Sequence, residues 1–208
     1  MSRPVLITAG ATRNPIDRMR YLSAYSSGTT GVTLASALAK EAVVTFFGSP
    51  EAALRAEAAG LQQTTVYGST RDLLARMEGW CRAHPNGAVI HAAAVGDYEA
   101  DADEGKVESG RPEWSLQLRP TPKIANELRG WMPDGFIVTF KAAAPQTSSQ
   151  SLAEIARAQL ERTRSDLVFA NVIGALEQSV QIVEARDAES FTDRQRALET
   201  LVRRVLDA

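Results

Sequence analysis

Short apolar runs alternate with amphipathic stretches along most of this chain. Residues 4–9, 42–47, 63–67 and 88–94 read as strands. The first and last are so continuously apolar that both their faces must be covered, as in a parallel sheet. Between them, Gly31–Lys40 carries Val32, Leu34, Ala35 and Leu38 at helical spacing, with Thr29 or Thr30 as its N-cap. Glu51–Ala59 is a short Ala-rich helix, and Thr70–His84 sets Leu73, Leu74, Met77 and Trp80 on one face. This alternation predicts an α/β fold: a Rossmann-like, doubly wound parallel sheet with helices on both faces.

Beyond Asp97 the pattern changes. Residues 100–111 are acidic, contain Gly105 and Gly110, lack apolar periodicity and read as a mobile loop. Trp114, Leu116 and Leu118 alternate, which predicts an antiparallel edge strand or hairpin arm. Then come a helix over 122–131, a buried strand over 136–140, a polar loop or flap over 145–151 and a helix over 152–163. Strands over 167–171 and 180–185 precede an amphipathic helix over 193–206, whose Leu198, Leu201, Val202 and Val205 stripe reads as packing.

With 208 residues, 44% of them hydrophobic, the chain suits one domain, taken here as residues 1–208. A net charge of −2 provides no overall field for nucleic acid. One cysteine, Cys81, excludes an internal disulfide, and two histidines without metal spacing argue against zinc. No apolar run approaches the roughly 20 residues that span a bilayer, and no signal segment opens the chain. The expectation is a cytoplasmic protein that engages neither membrane nor nucleic acid.

Two strand ends carry the candidate chemistry. The first runs Thr8-Ala9-Gly10-Ala11-Thr12-Arg13 and leads to Ser26-Ser27-Gly28-Thr29-Thr30-Gly31 ahead of a helix. Hydroxyls and free amides at a helix N-terminus make an anion site, though an ordinary capped turn has the same composition. Neither a Walker A ending nor a Gly-x-Gly-x-x-Gly fingerprint is present, and no Tyr-x-x-x-Lys pair supports a nicotinamide enzyme. The second strand end is Ala92-Ala93-Ala94-Val95-Gly96-Asp97, where a carboxylate follows small residues. Asp97 suits a ribose, a base amine or a metal-bound phosphate, and equally a turn. Arg13 and Arg20 suit phosphate or carboxylate, Lys106 suits phosphate, and Phe140 suits base stacking; each also has a plain structural reading. His91, inside an apolar run, reads as a core histidine. In open α/β sheets, two such strand ends can converge at the carboxyl edge and form one pocket.

In their order along the chain these motifs resemble the phosphopantothenate–cysteine ligase (phosphopantothenoylcysteine synthetase) family. The resemblance rests on Ile7–Asp17, Arg20–Gly28, Ala92–Tyr98, Lys106, Thr121-Pro122-Lys123-Ile124, Thr139-Phe140-Lys141 and Asp166–Asn171. It implies that CTP or ATP, with Mg²⁺, activates the carboxylate of 4′-phosphopantothenate as an acyl-nucleotide, which the cysteine amine then attacks. It also implies catalytic roles for Arg20 and Lys106, Lys106 closing on the phosphates and Arg20 facing the acyl phosphate. The implied nucleotide and substrate contacts are Gly10, Thr12, Ser26, Ser27, Gly28, Ala93, Ala94, Asp97, Pro122, Ile124 and Phe140, with no protein-held metal. A homodimer with a hairpin arm, for which Trp114–Leu118 is the candidate, is implied too. The chain departs from the family pattern at the site. Ala24 stands where the family has an asparagine, Val107, Glu108 and Ser109 follow Lys106 in place of further lysines, and no glutamate follows Phe140. Gln159 and Thr163 stand where a late helix has two triphosphate-facing lysines, with Arg162 and Arg164 beside them. Such a pattern implies a diverged ligase, or a binding homologue without ligase activity.

Overall fold

The computed structural model describes residues 3–101, 105–108, 110 and 112–208. Val5–Ala9 (β1) is followed by Arg13–Pro15 (β2), Tyr21–Ser23 (β3), Thr29–Leu38 (α1), Val44–Gly48 (β4), Pro50–Ala58 (α2), Thr64–Val66 (β5) and Thr70–Ala83 (α3). Ala88–His91 (β6), Tyr98–Ala100 (β7), Leu118–Pro120 (β8), Ile124–Trp131 (α4) and Phe136–Ala143 (β9) continue the chain. Ser149–Thr163 (α5), Leu167–Val172 (β10), Val180–Val183 (β11), Ala188–Phe191 (β12) and Arg194–Leu206 (α6) complete it.

The main sheet has eight strands in the order β12-β11-β10-β9-β6-β1-β4-β5. From β10 to β5 all neighbours are parallel, while β11 and β12 add an antiparallel edge. Two-residue alternation sorts the strand side chains between two layers. Val5, Ile7, Ala88 and Ile90 pack with α1 and α6, whereas Leu6 and Val89 pack with α3 and α4 on the other face. A third cluster joins Leu152, Ala156 and Leu160 of α5 to Val168 and Ala170. Burying a side chain such as Phe169 or Leu6 is worth about 2–3 kcal/mol, which fixes register, since a one-residue slip would swap the faces. The chain reverses direction across the sheet between β1 and β6, so the crevice beyond their carboxyl ends is the expected ligand position.

Three expectations are corrected. The N-cap of α1 is Gly28, in left-handed backbone, and not Thr29 or Thr30. The edge strand sits at Leu118–Pro120 and pairs with Tyr98–Ala100, because Pro120 and Tyr98 extend the pairing beside the Asp97 turn; Trp114–Gln117 form no strand. Residues 149–151 belong to α5, whose Ser148 accepts from the Ser151 amide and starts the helix early. The short hairpin of β2 and β3 and the edge strand β12 carry too few apolar residues to show in the pattern. The acidic loop over 100–111 falls partly on residues outside those described. Among the described residues, no helix is long and apolar enough to cross a membrane.

Candidate functional site

The loops that leave β1 and β6 are held together before either reaches solvent. Beyond the strands, the Ala94 amide donates to the Gly10 carbonyl (2.8 Å) and the Thr12 amide to the Ala94 carbonyl (3.1 Å). Thr12, wholly buried, accepts at Oγ1 from the Gly96 amide (2.9 Å) and from the Thr70 hydroxyl (3.0 Å). Asn14 donates to the Tyr98 carbonyl (2.9 Å) and accepts from the Thr70 amide (2.9 Å). Thr121 donates to the Gly96 carbonyl (2.6 Å), and the Thr121 amide to the Asp97 carbonyl (3.0 Å). Gly10 has φ of 89°, and a Cβ there would lie 2.2 Å from the Ser49 hydroxyl, so the turn out of β1 admits only glycine.

This bracing sets a cleft of about 750 Å³ along the carboxyl ends of β6, β9 and β10. One side is the chain from Ala24 to Gly31 at the mouth of α1, and the opposite rim is Ala92–Ala94 with Asp97. The floor is Phe140 and Ala142, and the far end is formed by Asn171, Ile173, Leu176 and Arg194. The α1 N-cap Gly28 offers no side-chain acceptor to the first-turn amides, whereas α2, α3, α5 and α6 are capped by Ser49, Ser69, Ser148 and Asp193. The Thr29 amide reaches the Ser27 hydroxyl (3.5 Å), and the rest of the first turn, with the positive end of the helix dipole, faces the cleft.

Ser26, Ser27, Gly28, Ala93, Ala94, Asp97 and Phe140, all singled out in the sequence, meet in this one cleft, and Ser27 and Asp97 share it. Gly10 and Thr12 lie behind the lining and position it. Ile124 is buried against α3, and Pro122 belongs to the segment that braces the Asp97 turn. Arg20 and Lys106 do not line the cleft. The Arg20 guanidinium donates to Asp17 (2.8 Å) and to the Val107 carbonyl (3.3 Å), and lies over the Trp114 ring (5.2 Å). Burial alone would raise the Asp17 carboxyl, but the amides of Met19, Val107 and Arg20, with the Arg20 charge, outweigh it and hold the group below its ordinary range. Lys106 is exposed.

The chain's other titratable groups sort by environment. Asp97 is ion-paired with Lys123 at the rim. Burial pushes the Cys81 thiol up to about 12, which removes it as a nucleophile. Burial lowers His91 to about 4, so the ring is neutral, with Nδ1 at 2.8 Å from the Thr8 hydroxyl. Gln159 turns inward, donating to Thr139 (2.9 Å) and the Phe140 carbonyl (3.1 Å), and Thr163 donates to the Gln159 carbonyl (2.8 Å). Arg162 bonds Asn126 on α4, and Arg164 sits at the C-cap of α5. Neither arginine lines the cleft. Among the described residues no group of three His, Cys, Asp or Glu is placed to hold a metal ion.

Sequence reasoning missed the far end of the cleft. Asn171 closes an apolar strand at the carboxyl edge, the same signal that marks Asp97, although in the sequence it stands out only as the last residue of the Asp166–Asn171 motif. Arg194 gave no local signal. Its helix follows the antiparallel strands β11 and β12, which return the chain to the carboxyl edge of the sheet.

The model of the DNA/pantothenate metabolism flavoprotein C-terminal domain matches residues 1–203. The coenzyme A biosynthesis bifunctional protein CoaBC of Thermococcus kodakarensis is 35% identical over 189 residues, covering 88% of this chain and 45% of that protein. The CoaBC of Haemophilus influenzae is 33% identical over 177 residues, covering 80% of this chain and 40% of that one. The chain therefore spans a little under half the length of these relatives. The crystal structure of the DNA/pantothenate metabolism flavoprotein from Streptococcus pneumoniae superposes with a TM-score of 0.87 at 22% identity, covering 98% of both chains. A Cab2 mutant in complex with phosphopantothenate-cysteine superposes with a TM-score of 0.81 at 20% identity, covering 99% of this chain and 85% of the other. These structures speak for the fold, and the sequence matches for the lineage. The chain belongs to the DNA/pantothenate metabolism flavoprotein C-terminal domain family, that of the phosphopantothenate–cysteine ligases.

Proposed function

We propose that residues 1–208 are one synthetase-like domain that joins a carboxylic acid to an amine at the expense of a nucleoside triphosphate, in coenzyme A biosynthesis. The acid is 4′-phosphopantothenate or close to it, the amine is cysteine-like, the triphosphate is CTP or ATP, and the setting is the cytoplasm. The carboxylate oxygen attacks the α-phosphorus and pyrophosphate leaves. The amine nitrogen then attacks the acyl carbon, and the nucleoside monophosphate leaves with the bonding pair. The observation that carries this reading is one cleft that joins the uncapped N-terminus of α1 to an apolar bay at Phe140 and to the Asp97 rim. The amides suit phosphate, the bay suits a base, and the Asp97 carboxylate suits hydroxyl groups of the guest. Holding acid and triphosphate side by side converts a bimolecular step into an internal one. With Asp97 the one carboxylate lining the cleft among the described residues, the donor set fits a Mg²⁺ carried in on the triphosphate rather than a resident metal site. The ion's contribution there is to neutralise phosphate charge.

Met19, Tyr21, Tyr98, Trp114, Leu116 and Leu118 all stay at least 39% exposed on the two small hairpins and the adjoining arm. This apolar face supports a homodimer, which sedimentation velocity of the wild type and of a Leu116→Lys, Leu118→Lys variant tests. One observation favours a second reading, a nucleotide- or phosphopantothenate-binding homologue without turnover: Ala24 lines the cleft and presents a methyl group with no hydrogen-bonding capacity. A pyrophosphate-release assay with phosphopantothenate, cysteine, Mg²⁺ and each triphosphate decides. Release that depends on the acid supports the ligase. Calorimetric binding without release supports the homologue.

A further inference from the structure

Among the described residues that line the cleft, Arg194 is the one cation. Its guanidinium donates to the Thr30 hydroxyl in the first turn of α1 (3.0 Å) and to the Leu176 carbonyl (3.2 Å), and stands 5.4 Å over the Phe169 ring. It therefore sits half-buried beside the first turn of α1, whose N-cap Gly28 supplies no side-chain acceptor. Among the described residues it has no ion-pair partner. Asp193, its neighbour, spends its carboxylate on the amides of Gln195 and Arg196. Burial draws the Arg194 guanidinium below its ordinary range, partly offset by the more distant Glu177. A half-buried guanidinium without a carboxylate partner is costly unless an anion arrives. A second group in the same cleft is also unmet. Asn171 is 6% exposed, and its side-chain amide has no hydrogen-bond partner among the described residues. Of the other cations, Lys123 pairs with Asp97, and Lys40 and Arg55 face a separate groove between α1 and α2.

We propose that Arg194 is a substrate-binding residue that grips the phosphates of the nucleotide over the N-terminus of α1, so that this chain draws its phosphate charge from α6 while the inward face of α5 is neutral. The proposal rests on the nucleotide reading above and adds to it the residue that pays for the triphosphate charge. A planar guanidinium fixed by Thr30 and Leu176 keeps donors free for two phosphate oxygens, and the Phe169 ring beneath it excludes water from one side.

Calorimetry on the full chain tests this with CTP, ATP, inorganic tripolyphosphate and the nucleosides cytidine and adenosine as probes. Arg194→Ala is expected to weaken both triphosphates and tripolyphosphate by about ten- to a hundredfold while leaving the nucleosides within about twofold, as loss of one charge-assisted pair predicts. Arg194→Lys, which keeps a point charge without the fork, falls between the two. Triphosphate affinity unchanged in Arg194→Ala overturns the proposal. So does an equal loss for the nucleosides, which would make Arg194 a reader of the base. If the alanine variant does not fold, the lysine variant carries the test, and tripolyphosphate binding as tight as wild type overturns it. A wild-type chain that binds neither triphosphate nor tripolyphosphate removes the nucleotide reading itself. A wild type that binds both, beside an indifferent Arg194→Ala, removes only the role of Arg194.

Discussion

The two long sides of the cleft are built on opposite principles. On the Ala92–Asp97 side, the polar groups that shape the turn are satisfied inside the protein. Thr12, Asn14, Thr70 and Thr121 take up the Gly96, Tyr98 and neighbouring groups, so this wall behaves as a rigid template. On the side of α1, β10 and α6, the α1 N-terminus has no N-cap side-chain acceptor, the Asn171 side chain has no protein hydrogen-bond partner among the described residues, and the Arg194 guanidinium meets only the neutral Thr30 hydroxyl and Leu176 carbonyl. Buried polar groups are normally paired inside the protein, and on the proposed reading the wall whose donors are left to neutral or no protein acceptors is the one that meets a ligand. Hydrogen-bond accounting thus separates residues that hold the site from residues that offer chemistry, which residue type alone does not do.

The sharpest way to break the template side is Gly10→Ala. It forces a positive φ on a residue with a Cβ and drives that atom into the Ser49 hydroxyl, whose approach is 2.2 Å, so a loss of about 3 kcal/mol or more is expected. Chemical denaturation measures it. A variant within about 1 kcal/mol of wild type would mean that the turn is soft and the template idea wrong.

Protonation should break the same side next. The Thr8 hydroxyl satisfies its neighbours when it donates to His91 Nδ1 (2.8 Å) and accepts from the Ala93 amide (3.3 Å), which requires neutral histidine. The unfolded chain takes up a proton near pH 6.5, whereas the folded ring resists until about 4. The unfolded state therefore binds more protons in that window, and stability rises with pH through it. Lowering the pH from 7 to 5 is expected to cost about 2 kcal/mol through this group alone, a dependence that His91→Gln abolishes. Equal pH slopes in wild type and variant would assign the acid sensitivity to other groups. A smaller effect on the same wall is expected from Thr12→Val. It strands the Gly96 amide and the Thr70 hydroxyl, at a cost of about 1–3 kcal/mol in thermal unfolding.

The template side was also the more legible one in the sequence. Val5–Ala9 and Ala88–His91 are continuous apolar runs ending in small residues, and such runs announce both the sheet and its carboxyl edge. The doubly wound order follows from the alternation, Asp97 stands out as a carboxylate after small and apolar residues, and Ser27 as part of a hydroxyl-rich loop ahead of a helix. The far end was not legible. Arg194 is nearly two hundred positions from β1, on a helix whose pattern reports only its buried stripe, and nothing local says that β11 and β12 turn the chain back. Arg20 shows the reverse limit. Its position in a loop motif suggested the cleft, but a buried Asp17 three residues away claims its guanidinium. Long-range closure and local capture by a neighbouring charge are the two things that residue spacing does not encode.

The opposite side of the comparison makes a prediction of opposite sign. If Asn171 is held for a ligand, its side chain serves the cleft rather than the fold: it has no protein hydrogen-bond partner among the described residues and opens onto the cleft. Asn171→Leu, close in volume, therefore gives up no protein hydrogen bond and adds apolar contact with the Ile173 and Leu176 end of the cleft. Stability should then stay level or rise by about 0.5–1 kcal/mol, while affinity for a nucleoside triphosphate falls about five- to tenfold with the lost hydrogen bond. Thermal unfolding and calorimetry on one preparation read both. A variant that loses both stability and affinity would put Asn171 with Thr12 among the positioning residues, and would move the boundary between the two walls from Phe140 to the far end of the cleft.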